Sequence, residues 1–373
     1  MSMNFRVNRD ALLQAIAQVI GGVEKRQTMQ ILGNVYLSLE QGVLTLITTD
    51  LEIQLRTELA VEMGAAGATT VNAKKLADIV KMAPDGASLA LHERESWLEI
   101  DAGRGKFRLA TLPADGFPRM NAEGAAGSAF EIPQNALYRL IEKTQFSMAQ
   151  QDVRYFLNGL LFDQQSDALV TVATDGHRLA CARLHGVSAA QPRQVIVPRK
   201  MVMEMQKTLL RDSAEPVQLT LRDQQIELVC GDHQLISKLI DGRYPDYQRV
   251  IPKNNPMRAL LNKADLRGVL QRASILSNER LSGAEFKLSP QELIIDARNA
   301  ESESSSESMP MAFVGDPMNI TFNISYLLQI LAVIDTDQVQ FELDGAESSA
   351  LIRPEDDPDA LVSSLFVLMP MKM

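Results

Sequence analysis

The sequence predicts an α+β fold in which one unit, a β-sheet covered by two helices, occurs three times. Three observations carry this reading. At 373 residues the chain exceeds the roughly 250–300 residues over which a single core keeps growing. Its landmarks recur at intervals of about 125 residues, the mark of an internal repeat. Within each interval the apolar pattern alternates between period two and helical spacing, so strands and helices are mixed. A composition of 46% hydrophobic and 23% charged residues is that of an ordinary globular protein and excludes disordered, collagen-like and coiled-coil classes.

Each copy opens with a short strand leading into an amphipathic helix, at Val7–Leu12, Ile132–Leu137 and Leu261–Leu266. In the first of these helices Leu12, Leu13, Ile16, Val19 and Ile20 form the stripe expected to face the sheet. Alternating runs such as Val43–Ile47 and Leu169–Ala173 then predict strands buried on one face. They end at Thr49-Asp50, Thr174-Asp175 and Arg298-Asn299. A second helix is expected near Ala73–Leu76, Pro198–Met201 and Ile324–Leu327, followed by a strand pair. Two copies close on an aromatic-proline element, Phe117-Pro118 and Tyr244-Pro245, and turn signals such as Pro84-Asp85-Gly86 separate the pieces. The domains are therefore expected at 1–126, 127–255 and 256–373.

The formal net charge of −10 argues against a nonspecific grip on nucleic acid, unless basic residues are locally concentrated. They gather on or beside the six predicted helices: Arg9, Lys25, Arg26, Lys74, Lys75 and Lys81 in the first copy; Arg139, Lys143, Arg199, Lys200, Lys207 and Arg211 in the second; Lys263, Arg267, Arg272 and Arg280 in the third. Helices facing one way would make a positive lining within an acidic body, able to hold phosphates without reading bases. Solvated helices also favour Lys and Arg, so a repeat-built scaffold binding only proteins stays open.

Catalytic chemistry finds little support. Asp175-Gly176-His177 offers an acid and a base, but no Gly-x-Ser-x-Gly elbow is present, and the four histidines, His92, His177, His185 and His233, form no metal motif. Gly103-Arg104-Gly105-Lys106 fails as a phosphate loop, because Ile100 stands where the first glycine is needed and Phe107 follows the lysine. Neither a cofactor nor a metal is expected. Cys181 and Cys230 are too few for a disulfide framework, no apolar run approaches the ~20 residues of a membrane span, and the start lacks a secretory pattern, so a cytosolic protein is expected.

Ile31–Asn34, Thr49–Glu52, Gln151–Tyr155, Ala173–Leu179, Val197–Lys200, Asp241–Tyr247, Phe322–Tyr326 and Met369–Met371 together carry a family resemblance. Over its whole length the sequence resembles the beta subunit of bacterial DNA polymerase III, the sliding clamps. The resemblance implies a non-catalytic processivity factor, two three-domain chains closed head to tail into a six-domain ring around duplex DNA. It implies as partners the replicative polymerase, an ATP-driven clamp loader and other proteins carrying a clamp-binding motif. DNA contacts would fall on Arg26, Lys74, Gln151, Lys200 and Lys207. A partner-peptide cleft would be built from Arg154, Leu157, Thr174, Gly176, His177, Arg178, Leu179, Pro245, Arg249, Val250, Asn323, Tyr326, Ser349, Val367, Leu368, Met369, Pro370 and Met371. The run Phe366–Met371 is apolar enough to serve such a cleft, with methionines as adaptable contacts, and equally reads as a closing core strand.

Ring closure has a charge rationale. The acidic run Glu301–Glu307 aligns with a strand in the other copies, although Ser/Glu runs are often solvated loops. Arg104, Lys106 and Arg108 alternate with Phe107 and Leu109 on a predicted edge strand, a fitting partner for it. The dimer interface is therefore expected at Phe107 and Leu109 against Ile275 and Leu276, with Glu301 and Glu303 on the acidic side, positions the family also uses. Two departures from the family pattern are mild: Gln27 and Gln30 stand where proline is common, and Lys372 replaces a more frequent arginine.

Overall fold

The computed structural model describes residues 2–24, 29–62, 64–103, 105–121, 127–187, 192–277, 282–355 and 360–371. They form two compact units, one of residues 1–135 and 200–239, the other of 136–199 and 240–373. Among the described residues the first unit holds a 12-stranded antiparallel sheet, and the second a 9-stranded and a 4-stranded sheet.

Six α-helices are described: α1 (Arg9–Val19), α2 (Ala73–Met82), α3 (Gln134–Glu142), α4 (Arg199–Thr208), α5 (Lys263–Ala273) and α6 (Ile324–Ala332). Four begin where an asparagine ends the preceding strand. Asn8, Asn72, Asn262 and Asn323 each accept a hydrogen bond from a backbone N–H of the first turn, at 2.9–3.2 Å. Such caps stabilise a helix by about 1 kcal/mol each. In the middle copy Pro133 and Pro198 hold the matching positions, and there the residue before the helix is kept extended by its ring instead. The stripe predicted on α1 needs one correction: Leu12, Ala15, Ile16 and Val19 are buried, Leu13 is half-buried, and Ile20 begins a 3₁₀ turn after the helix has ended.

The Thr-Asp landmarks are turns that start the next strand. Thr49 Oγ1 donates to Ile53 O (2.7 Å) and accepts from Leu51 N (3.0 Å), while Asp50 Oδ1 accepts from Glu52 N (2.9 Å) and Ile53 N (2.8 Å). Thr174 and Asp175 repeat every one of these bonds with Arg178, Gly176 and His177. The turn needs positive φ at its third position, which Gly176 adopts freely at 91° and Leu51 adopts at 76° with strain. In the third copy Asn299 accepts from Glu303 N, with Ser302 at φ 67°. The strand there begins only at Ser304, so Glu301 and Glu303 of the acidic run lie in the turn rather than in the strand.

These turns launch strands that join one copy to the next. In the first unit Ile53–Ala60 pairs with His233–Lys238, from Ile53↔Ser237 to Thr57↔His233. In the second, Arg178–His185 pairs with Ser363–Leu368, from Arg178↔Leu368 to Arg183↔Ser363. In both pairings the last strand of one copy meets the strand that follows the Thr-Asp turn of the copy before it.

Candidate functional site

The second of these seams carries most residues expected in the cleft. Because successive side chains of a strand point to opposite faces, Leu179, Cys181 and Val367 turn to one side of the sheet and Phe366 and Leu368 to the other. The first side is an apolar floor of Leu157, Leu161, Val172, Leu179, Tyr244 and Val367, all buried. Around it Val153, Tyr155, Val250 and Met369 are exposed, an unusual concentration of large apolar groups in water. Leu368 is fully buried in the core of the opposite face.

Arg178 is the polar centre of the wall. It is 7% exposed, yet its guanidinium donates to Asp175 Oδ2 (3.0 Å), Gln329 Oε1 (2.7 Å) and Phe146 O (2.7 Å), and it lies 4.2 Å from the Tyr326 ring centroid. Burial lowers its pKa, and the neighbouring Asp175 carboxylate opposes the shift. Asn323 caps α6 and fixes Tyr326 in place. Arg154 reaches the Asp175 carbonyl (3.3 Å) and is clamped by Asp152, whose own pKa that guanidinium lowers to about 2. A side chain at Gly176 would meet Arg154, so glycine serves both the turn and the close approach. The tail is strapped down by Met369 N to His177 O (3.0 Å) and Met371 N to Thr321 O (2.8 Å), which leaves Pro370 partly exposed. Ser349 contributes its carbonyl to Asn255 (3.1 Å).

Pro245, Arg249 and Val250 sit on a loop whose anchor the sequence did not mark. Tyr247 is buried and donates to Asp163 Oδ2 (2.7 Å), which also accepts from Gln165 Nε2 (2.9 Å), while Arg183 donates to Gln165 (2.7 Å). Burial, then the bond to Asp163, raises the Tyr247 pKa. Asp163 lies in a strand that reads as plain core, so only its partners reveal it. Tyr247→Phe leaves this carboxylate short of a donor and is expected to cost about 1–3 kcal/mol in urea unfolding. It is also expected to weaken peptide binding by loosening the loop, and unchanged stability and binding would refute the anchoring role. Cys181 is buried against the same floor, and burial pushes its thiol up to about 12, so it is no nucleophile.

The residues expected at DNA have different surroundings. Lys74 is exposed on the first turn of α2. Lys200 is paired with Asp50, whose burial would raise the carboxyl pKa but is outweighed by Lys200 and the backbone donors of Ile53 and Glu52, so that it lies below its ordinary value. Lys207 pairs with Glu204 at 2.6 Å while its own side chain stays 64% exposed. Glu204 is only 9% exposed, so the pair is buried at its acidic end and open at its basic one. Gln151 is exposed with φ 54°, and Arg26 lies outside the described residues, as do Arg104 and Lys372. At the expected interface Phe107 is 40% and Ile275 76% exposed, Leu109 and Leu276 are intermediate, and Glu301 and Glu303 are exposed. Among the described residues no group of three or more His, Cys, Asp or Glu side chains is placed to hold a metal, and no helix is long and apolar enough to cross a membrane.

The chain is similar to known proteins over its whole length. Residues 3–121, 131–246 and 248–372 match the N-terminal, central and C-terminal domain models of the DNA polymerase III beta subunit. The chain is 42% identical to the beta sliding clamp of Pseudomonas aeruginosa and 40% identical to that of Escherichia coli K12, with 100% of each chain covered in both cases. Among solved structures, the Pseudomonas aeruginosa sliding clamp bound to griselimycin superposes with TM-score 0.94 at 40% identity, covering 100% of both chains. The Caulobacter crescentus beta sliding clamp does so with TM-score 0.94 at 34% identity, covering 100% of this chain and 99% of that one.

Proposed function

The chain belongs to the DNA polymerase III beta subunit family, and from that premise we propose that it works as a sliding clamp, a homodimeric ring that encircles duplex DNA and tethers the replicative polymerase. The observation that carries the ring is the repeated seam. Two of the three copies offer the strand after their Thr-Asp turn to the last strand of the next copy. In the third copy that strand, Ser304–Pro310, ends its sheet and is paired on one side only among the described residues. In the first copy the last strand, Gly105–Pro113, bonds Trp97–Ala102 along one edge, and on the other only its final three residues are paired. Two open edges of matching kind, one in the third copy and one in the first, favour head-to-tail closure between two chains.

The repeat also supplies the register. Ala102↔Gly105 and Cys230↔His233 are the last pairs of matching hairpins, with Gly103 and Gly231 at φ 67° and 57°, so Gly105 corresponds to His233 and Leu109 to Ser237. Glu303, as the acceptor that closes its turn, corresponds to Ile53. The pairing Ile53↔Ser237 then becomes Glu303↔Leu109, and Arg108, Phe107 and Lys106 of one chain face Ser304, Ser305 and Ser306 of its partner. Phe107 and Leu109 find cover against Ile275 and Leu276.

Inside the ring Arg26, Lys74, Gln151, Lys200 and Lys207 serve as non-specific DNA contacts. The seam beside Arg178 receives partner peptides, including those of the polymerase, the clamp loader and other proteins with a clamp-binding motif. The domains are assigned to 1–126, 127–255 and 256–373, the compartment is cytoplasmic, and the chain has no catalytic step of its own. The test is topological. After loading by the clamp loader, the protein is expected to stay on nicked circular DNA through gel filtration and to run off once that DNA is linearised. Equal retention on both forms would refute encirclement, and retention on neither would refute the clamp reading.

A further inference from the structure

The first unit contains a polar counterpart of the peptide cleft. Matching Thr49-Asp50 to Thr174-Asp175 puts Ile47 at the place of Val172, Gln54 at Leu179 and Arg56 at Cys181. The seam pairings Arg56↔Gln234 and Cys181↔Leu365 put Gln234 at Leu365. Tyr36, Ile47 and Phe117 form a small buried cluster at the positions of Leu161, Val172 and Tyr244 in the apolar floor. Around this remnant Leu179, Cys181 and Leu365 have become Gln54, Arg56 and Gln234, while Ile236 keeps the apolar place of Val367. The result is a cavity of about 510 Å³ lined by Ile47, Gln54, Arg56, Arg119 and Gln234 among others.

Its charges are unequally compensated. Glu58 is engaged by Arg56, and Glu227 is held by Arg222 (2.8 Å) and by Gln234 Nε2 (2.6 Å). Arg119 is exposed, rests 5.5 Å from the Tyr36 ring centroid, and makes no ion pair among the described residues. Its guanidinium is therefore oriented by the ring and left with its donors available. The segment that carries it is pinned, since Gln54 Nε2 donates to Met120 O (3.0 Å) and Gln54 Oε1 accepts from Met120 N (2.7 Å). An oriented guanidinium with its donors available, lining one cavity with a second that Glu58 engages on one side only, makes a receptor for carboxylates.

We propose that this cavity is a second partner site, one that takes an acidic peptide segment, with Arg119 as the first carboxylate contact and Arg56 as the second. The expectation of a peptide rests on the reading of the seam beside Arg178 as the partner cleft, while the expectation of acidic residues rests on the cavity itself. The probe is a fluorescein-labelled peptide of alternating glutamate and threonine, titrated with the full chain by anisotropy at low salt. Saturation at one peptide per chain is expected, and Arg119→Gln should weaken it about tenfold or more, with partial recovery in Arg119→Lys. An excess of short duplex DNA, which competes for cationic helix faces, should leave the complex intact. An apolar clamp-binding peptide, titrated in parallel, should bind without displacing it. Absence of saturation, indifference to Arg119→Gln, or displacement by the duplex would overturn the proposal, and displacement by equimolar succinate would reassign the cavity to small dicarboxylates. Failure of the apolar peptide alone to bind would count against the cleft and not against this site.

Discussion

A chain carrying Phe107→Asp and Leu109→Asp sediments as a monomer while remaining folded. Phe107 is 40% exposed and Ile275 76% exposed in the single chain, so covering them across a seam is favourable by about 1.5–3 kcal/mol per large side chain. The aspartates remove that gain and add carboxylates opposite the acidic strand edge, where like charges repel. A closed ring has two identical seams, so both changes count twice. Together they are expected to weaken the dimer at least about a thousandfold, which sedimentation equilibrium reads directly. A dimer that persists at micromolar concentration would show that the two chains meet elsewhere.

Replacing Arg178 by alanine is the second large effect. The side chain is 7% exposed and satisfies Asp175, Gln329 and the Phe146 carbonyl at once. Removing it leaves Asp175 Oδ2 without its donor in a carboxylate only 17% exposed, and one-sided loss of a buried pair costs about 3–5 kcal/mol. The plate that it forms beneath Tyr326 disappears as well, so a partner peptide is expected to lose measurable affinity. Arg178→Lys keeps a charge but not the planar fork, and is expected to fall between the two. Urea unfolding and peptide anisotropy measure both consequences, and a stability loss below about 1 kcal/mol would mean that Asp175 finds another partner.

Much of this architecture was legible because repetition turns weak local signals into a pattern. The Thr-Asp landmarks predicted where strands end, and they do so because the same side-chain-to-backbone bonds rebuild the turn in two copies. The asparagine caps of four helices went unmarked in the sequence and emerge from the structure. The third copy was harder. Asn299 closes a turn one residue longer, so the acidic run reads as strand from its start although the strand begins at Ser304. The extent of α1 was overread because Leu13 and Ile20 share the helical spacing of the buried residues while the helix stops at Val19.

The cleft divides in the same way. Arg178, Tyr326 and the Met369–Met371 tail came from the family resemblance, and the structure supplies the bonds that give them shape. Tyr247 belongs to a family motif, but its bonded chain through Asp163 and Gln165 to Arg183 was invisible, since it is defined by contacts between residues far apart in sequence. The ion pairs that occupy Lys200 and Lys207 were hidden for the same reason.

The head-to-tail seam and its register are tested most directly by cross-linking. Arg108→Cys and Ser304→Cys, placed together in one chain, are expected to face each other across the seam at the ~4.5–5.5 Å Cα separation of opposed antiparallel residues, within disulfide reach. Cys181 and Cys230 are buried and should interfere little. Mild oxidation is expected to give a covalent dimer in high yield, whereas Arg108→Cys paired with Ser306→Cys, two residues out of register, is expected to give little. A chain that stays monomeric on denaturing gels, or that cross-links better through the displaced pair, would contradict the proposed ring closure.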